Sequence, residues 1–188
     1  MTDFELFFSL FGLILGLAIA SVAAGASDVL RERKRIKVGV LTPILVAFLL
    51  CDLTSFWISS WTSLRDVRVG FPSMLWALAM AVTYFFSATA ALPKRAEEWP
   101  SLDDYYFSHY RWVLGGVLLA NVGLMTLAAA ISDQGFASLL AASAWSSYVF
   151  CTVLTAMLMI RKRIVHYAGY AVLFAGYVMI IASDPSLR

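Results

Sequence analysis

Charge, histidine and cysteine are all scarce in this chain. Of its 188 residues only 14% are charged, two are histidine and two are cysteine. Soluble domains carry about 25% charged residues, so an ordinary water-facing globular surface is excluded. Cys51 and Cys151 both fall in apolar segments. That leaves neither a metal-ligand spacing nor an extracellular disulfide framework. There is no H-E-x-x-H, no phosphate-cradling glycine loop and no G-x-S-x-G, so metalloprotease, P-loop and serine-hydrolase chemistry have no motif to rest on. No arginine ladder marks a voltage sensor. The net charge of +2 is too small to argue for nucleic acid. His109 and His166 are expected near the headgroups, without the further ligands that would support a haem pair. Asp103, Asp104 and His109 read as a solvated loop face before they read as a metal site. No cofactor and no metal are expected, and no nucleophile, base and metal set makes an enzyme.

What the chain has in excess is apolar length. It is 61% hydrophobic, with a mean hydropathy of +0.81. A helix crosses the hydrocarbon with about 20 mostly apolar residues, and six such stretches occur. They cover about 4–26, 38–61, 71–92, 111–132, 135–160 and 164–183. The expected fold is all-helical: one transmembrane domain over 1–188, a bundle of six spans. The first stretch resembles a signal peptide at "AAGA", but its leader carries Asp3 and Glu5 and its apolar core exceeds the usual 7–15 or so residues. A retained first helix is therefore expected.

Lys and Arg in the connections set the orientation. Connections one, three and five hold eleven of the fourteen basic residues, with RERKRIK the densest run and RKRI the last. Only Arg65, Arg68 and Arg188 fall on the other side. Both termini are expected outside. The basic run also suits anionic lipid, which attracts juxtamembrane Lys and Arg. The third connection has structure of its own. Ser101 and Asp104 resemble a capping box after Pro100, predicting a short interfacial helix that leads into the fourth span. Its Tyr105, Tyr106, Phe107, Tyr110 and Trp112 suit the headgroup boundary or a partner surface.

Small residues mark helix packing. Gly12, Gly16, Ala20 and Ala24 recur at every fourth position of the first span, Gly116, Ala120 and Gly123 form a stripe on the fourth, and Ser143, Ser147, Cys151 and Thr155 one on the fifth. Such stripes allow close backbone approach where lipid supplies no hydrophobic drive. The first is the longest and least polar, and so the candidate for homo-oligomerisation. "AAGASD" and "AAAISD" close the first and fourth spans similarly, as in an inverted three-plus-three repeat.

The single intramembrane carboxylate is Asp52, in "LLCDLTSFW". It lies about 21 Å along the second span at 1.5 Å per residue, too deep to snorkel. Ser55 and Ser59 share its face, with Thr62 and Ser63 beyond, whereas Leu45 and Phe48 continue that face in the other direction. Intramembrane ionisable groups usually face the bundle interior or a watery cavity. Asn121, Ser147 and the Thr83–Ser87 hydroxyls are the candidate partners. Two functions follow. One is an ion- or proton-coupled transporter or channel for a small ion or polar substrate, working through Asp52. The other is a non-catalytic accessory or scaffold subunit in which Asp52 merely joins helices. The expected location is the plasma (inner) membrane, with the lipid bilayer as the first partner.

Reporter fusions test the orientation. Positions 34, 98 and 162 should report the cytoplasm, and 1, 134 and 188 the outside; a cytoplasmic C-terminus would overturn it.

Overall fold

The structure, a computed structural model, describes residues 3–65, 67, 70–133, 135–140 and 145–183. It contains six α-helices: α1 Asp3–Glu32, α2 Leu41–Ser63, α3 Phe71–Ala90, α4 Leu102–Ile131, α5 Trp145–Met159 and α6 Arg163–Ser183. Short 3₁₀ segments, Ala96–Glu98 and Gly135–Leu140, stand before α4 and α5. The all-helical, six-helix architecture is the expected one. Five of the helices are long and apolar enough to cross a membrane, and α5 is the short exception.

The boundaries differ from expectation in three informative places. α1 continues past residue 26 to Glu32, because nothing between Ala26 and Glu32 breaks a helix. Its 30 residues reach about 45 Å at helical rise, so the last turns, with Asp28 and Arg31, extend beyond a hydrocarbon layer of about 30 Å. The capped segment at Ser101 does not end before the fourth span but runs into it as one 30-residue helix. Ser101 Oγ accepts from Asp104 N–H at 3.2 Å and donates to Asp104 Oδ2 at 2.7 Å. The fifth stretch does not open as α-helix: Gly135–Leu140 is 3₁₀, and the described α5 is 15 residues, about 22 Å. Gly135, at φ +56°, takes the left-handed conformation that glycine adopts without cost, and the segment after it coils as 3₁₀.

α2 and α4 occupy the middle of the bundle and touch each other. α3 packs mainly on α4 and α1, while α5 lies against α4 and α6, and α6 also meets α2. The three basic connections gather at one end, here termed the basic end. There Leu102 N–H donates to Lys37 C=O at 2.9 Å, and Thr42 Oγ1 donates to Leu102 C=O at 3.0 Å. Leu41 N–H donates to Asp103 Oδ1 at 3.1 Å. Asp103 thus satisfies an orphan amide at the start of α2, where a negative group also suits the helix dipole. Gly39 makes this possible. It sits at φ +70°, and a Cβ there would overlap the Asp103 carboxylate.

Asp103 is therefore no solvated loop residue: it is 7% exposed. The aromatic segment likewise turns largely inward. Tyr105, Tyr106 and Tyr110 are buried, and only Trp112, 78% exposed, stands out in the manner of an interfacial anchor. Tyr105 Oη donates to Ala90 C=O at 2.9 Å, closing the end of α3. His166, expected near the surface, is wholly buried at this end. Its Nδ1 lies 2.6 Å from Tyr106 Oη, which is 3.1 Å from Tyr170 Oη.

The glycine stripes are used unequally. A Cβ at Gly116 would fall on Ser87 Oγ, and one at Gly123 on Met80 Sδ, so α3 and α4 approach closely through these positions. At Gly12 a Cβ would meet the Trp57 ring at 3.1 Å. Gly16 has open space around it, and Ala20 and Ala24 are exposed. The core face of α1 is instead Phe7, Phe11, Leu15, Ala18 and Val22. Ser143 lies outside the described residues. The two "SD" motifs occupy different positions: Asp28 is within α1, whereas Asp133 follows the end of α4.

Candidate functional site

α2 presents Asp52 towards the bundle interior, where the carboxylate is 2% exposed. Helical spacing puts Phe48, Leu45 and Phe56 on neighbouring turns of the same side, and all are buried. Three donors reach the carboxylate from three other helices. Tyr84 of α3 donates its hydroxyl to Oδ2. Tyr177 of α6 donates to Oδ1 at 2.9 Å. Asn121 of α4 donates Nδ2–H to Oδ2 at 3.4 Å and also to Val117 C=O at 3.0 Å. An ionised carboxylate accepts at about four lone-pair positions, so these three donors nearly complete it. All three are neutral. They would solvate an ionised carboxylate without cancelling its charge.

Asp52 also lines a cleft of about 1090 Å³ between α2, α4, α5 and α6. The cleft runs from Asp52 to the helix ends at Ser63, Ser132 and Ser183, away from the basic end. Ser55 and Ser59 follow Asp52 along one wall, Asn121 and Ser147 stand on others, and Ser138 and Ser146 lie beside the start of α5. Apolar surface from Leu124, Phe150, Leu173 and Ile180 fills the rest. Asp52 is the one Asp, Glu, Lys, Arg or His among the described lining residues. Towards the basic end the passage is packed shut: the Phe48 ring lies 5.5 Å from that of Tyr170 and 6.3 Å from that of Phe150.

Asp52, Ser55, Ser59, Asn121 and Ser147 therefore come together around one cleft. Gly12, Gly16, Ala20 and Gly116 lie away from it. Thr83 and Ser87 do not reach Asp52. Each donates to its own helix, Thr83 to Ala79 C=O at 2.7 Å and Ser87 to Thr83 C=O at 3.0 Å, the back-bonding usual for hydroxyls in apolar helices. Thr155 does the same to Cys151 C=O.

Tyr84 and Tyr177 were the residues that sequence reasoning missed. A signal existed. A buried tyrosine hydroxyl needs a partner, and both tyrosines stand well inside apolar helices where few side chains accept. No group of His, Cys, Asp and Glu suited to a metal occurs among the described residues. The chain matches no protein-family model, no curated protein and no solved structure.

The hydrogen-bond set makes different demands on two substitutions. Asp52→Asn keeps one acceptor oxygen, and its amide can donate to a tyrosine oxygen turned to accept. It should stay within about 1 kcal/mol of wild type. Asp52→Leu removes the acceptor for three donors. At about 0.6 kcal/mol per interhelical bond in membranes, it should lose about 2 kcal/mol in reversible unfolding from micelles. Equal stability of the two variants would contradict this account.

Proposed function

We propose that the protein is a small multi-pass transporter or channel in which Asp52 holds a proton or cation delivered through the cleft. The observation that carries this reading is a buried carboxylate at the floor of a serine-lined cleft, with dry packing on its other side. A carboxylate used only to join helices has no need of a polar approach. One that exchanges a proton or cation requires it, since a charge in a low-dielectric interior gains and loses its ion only along a solvated route. The serine hydroxyls both donate and accept, so they can line such a route without holding the ion fast. Taken with the basic bias of the connections, the cleft opens outward and the basic end faces the cytoplasm of a plasma-membrane protein. The outward helix faces, with Leu13, Phe86, Ile164 and Val178 exposed, suit lipid contact. Gly16, Ala20 and Ala24 on the open side of α1 support pairing of two copies there.

Three measurements test the proposal. In a Cys51→Ser/Cys151→Ser background, Ser55→Cys and Ser59→Cys should react with a membrane-impermeant maleimide added outside, and complete protection of both would favour the scaffold reading. In proteoliposomes, wild type should carry a pH- or cation-dependent flux that Asp52→Asn abolishes while folding normally. Unchanged flux in that variant would remove Asp52 from the mechanism, and no flux in wild type would leave the accessory-subunit role. Native mass spectrometry should find dimers that Gly16→Ile dissociates; a wild-type monomer would end the α1 pairing.

A further inference from the structure

We propose that the cleft binds a lipophilic organic monocation, an amine or quaternary ammonium group on an apolar, ring-bearing body, with Asp52 as its counter-charge. This names the substrate class of the transport reading and rests on it for the purpose of the cleft, though not for whether the cleft binds. Size is the first argument. A water claims about 30 Å³, whereas small-molecule sites span about 300–1,000 Å³. At about 1090 Å³ the cleft is large enough to take a molecule rather than an ion alone.

Chemistry is the second argument. An inorganic cation gives up its water only for a cage of oxygen lone pairs, as hard cations do generally. Around Asp52 the neighbours turn hydrogens towards the carboxylate: the Tyr84 and Tyr177 hydroxyls and the Asn121 amide. No such cage is assembled there. An alkylated ammonium group asks less, because its charge is spread over apolar carbon. It needs one counter-charge and, by preference, aromatic faces, which recognise quaternary ammonium ligands. Phe150, Trp145 and Tyr177 line the same space. Leu124, Leu173 and Ile180 supply apolar wall for the body of the ligand. An anion of equal size would meet the Asp52 charge with no Lys or Arg among the described lining residues to offset it.

Equilibrium dialysis of the purified full chain against tetraphenylphosphonium, with tetraphenylborate as the anion of matching shape, tests this. The cation should bind saturably, the anion should not, and Asp52→Asn should weaken the cation at least tenfold while melting like wild type. Should that variant fail to fold, Gly176→Leu decides. Gly176 lines the cleft and a Cβ there meets nothing within 4 Å, so a leucine fits at this wall without displacing it, and it too should cost at least tenfold. Equal binding of cation and anion, undiminished binding in a folded Asp52→Asn, or no saturable binding of the cation would each overturn the proposal, as would undiminished binding in Gly176→Leu where Asp52→Asn does not fold. Binding without flux in proteoliposomes keeps this site and removes transport. Asp52-dependent proton flux without binding keeps transport and removes this ligand class.

Discussion

One carboxylate shared by four helices is the constraint around which this bundle is organised. Asp52 on α2 accepts from Tyr84 on α3, Asn121 on α4 and Tyr177 on α6. In a bilayer the hydrocarbon offers polar groups no water, so each must find its partner within the protein. Three donors and one acceptor therefore hold together helices whose apolar faces would pack nearly as well in other rotations. Leucine and phenylalanine surfaces are tolerant of sliding, because lipid tails are as apolar as they are. A directional contact is not.

The bundle is built unequally on the two sides of that contact. Towards the basic end side chains tie the helices to one another: Asp103 and Thr42 stitch the starts of α2 and α4 together, Tyr105 closes α3, and His166 Nδ1 meets Tyr106. A Cβ at Gly169 would strike Met157 Sδ, so α5 and α6 are in close contact there too. Away from the basic end the described part of α5 runs over Trp145–Met159, and Gly135–Leu140 before it is 3₁₀ rather than α-helical. The cleft lies between this part of α5 and its neighbours α2, α4 and α6. Asp52 stands at the boundary between the two halves, which is why one residue both ties the helices and floors the cleft.

Much of this was legible from the residues alone. Six apolar stretches of membrane-crossing length made the helices unavoidable, because a polar backbone can enter hydrocarbon only if it bonds to itself. Asp52 stood out because a lone carboxylate among leucines must have a local reason. The spacing of Ser55 and Ser59 placed them on its face, since side chains repeat every three to four positions on any α-helix. The Ser101 cap was likewise local chemistry and so readable.

What sequence alone determined is the set of helices, the Ser101 cap and the polar stripe on α2, all of which follow from local geometry within one element. Only the tertiary structure decided which helices meet Asp52. Tyr84 was one hydroxyl among several on α3, and whether it or Thr83 faces α2 depends on the rotation of the whole helix, which apolar neighbours barely specify. It also decided that Asp103 is a buried cap rather than a surface acid, because its partner, Leu41 N–H, is 62 positions away. The 3₁₀ segment Gly135–Leu140 and the cleft belong to the same class. Hydropathy records that 135–160 is apolar, not that its first described residues coil as 3₁₀ or that α2, α4, α5 and α6 leave a cleft between them.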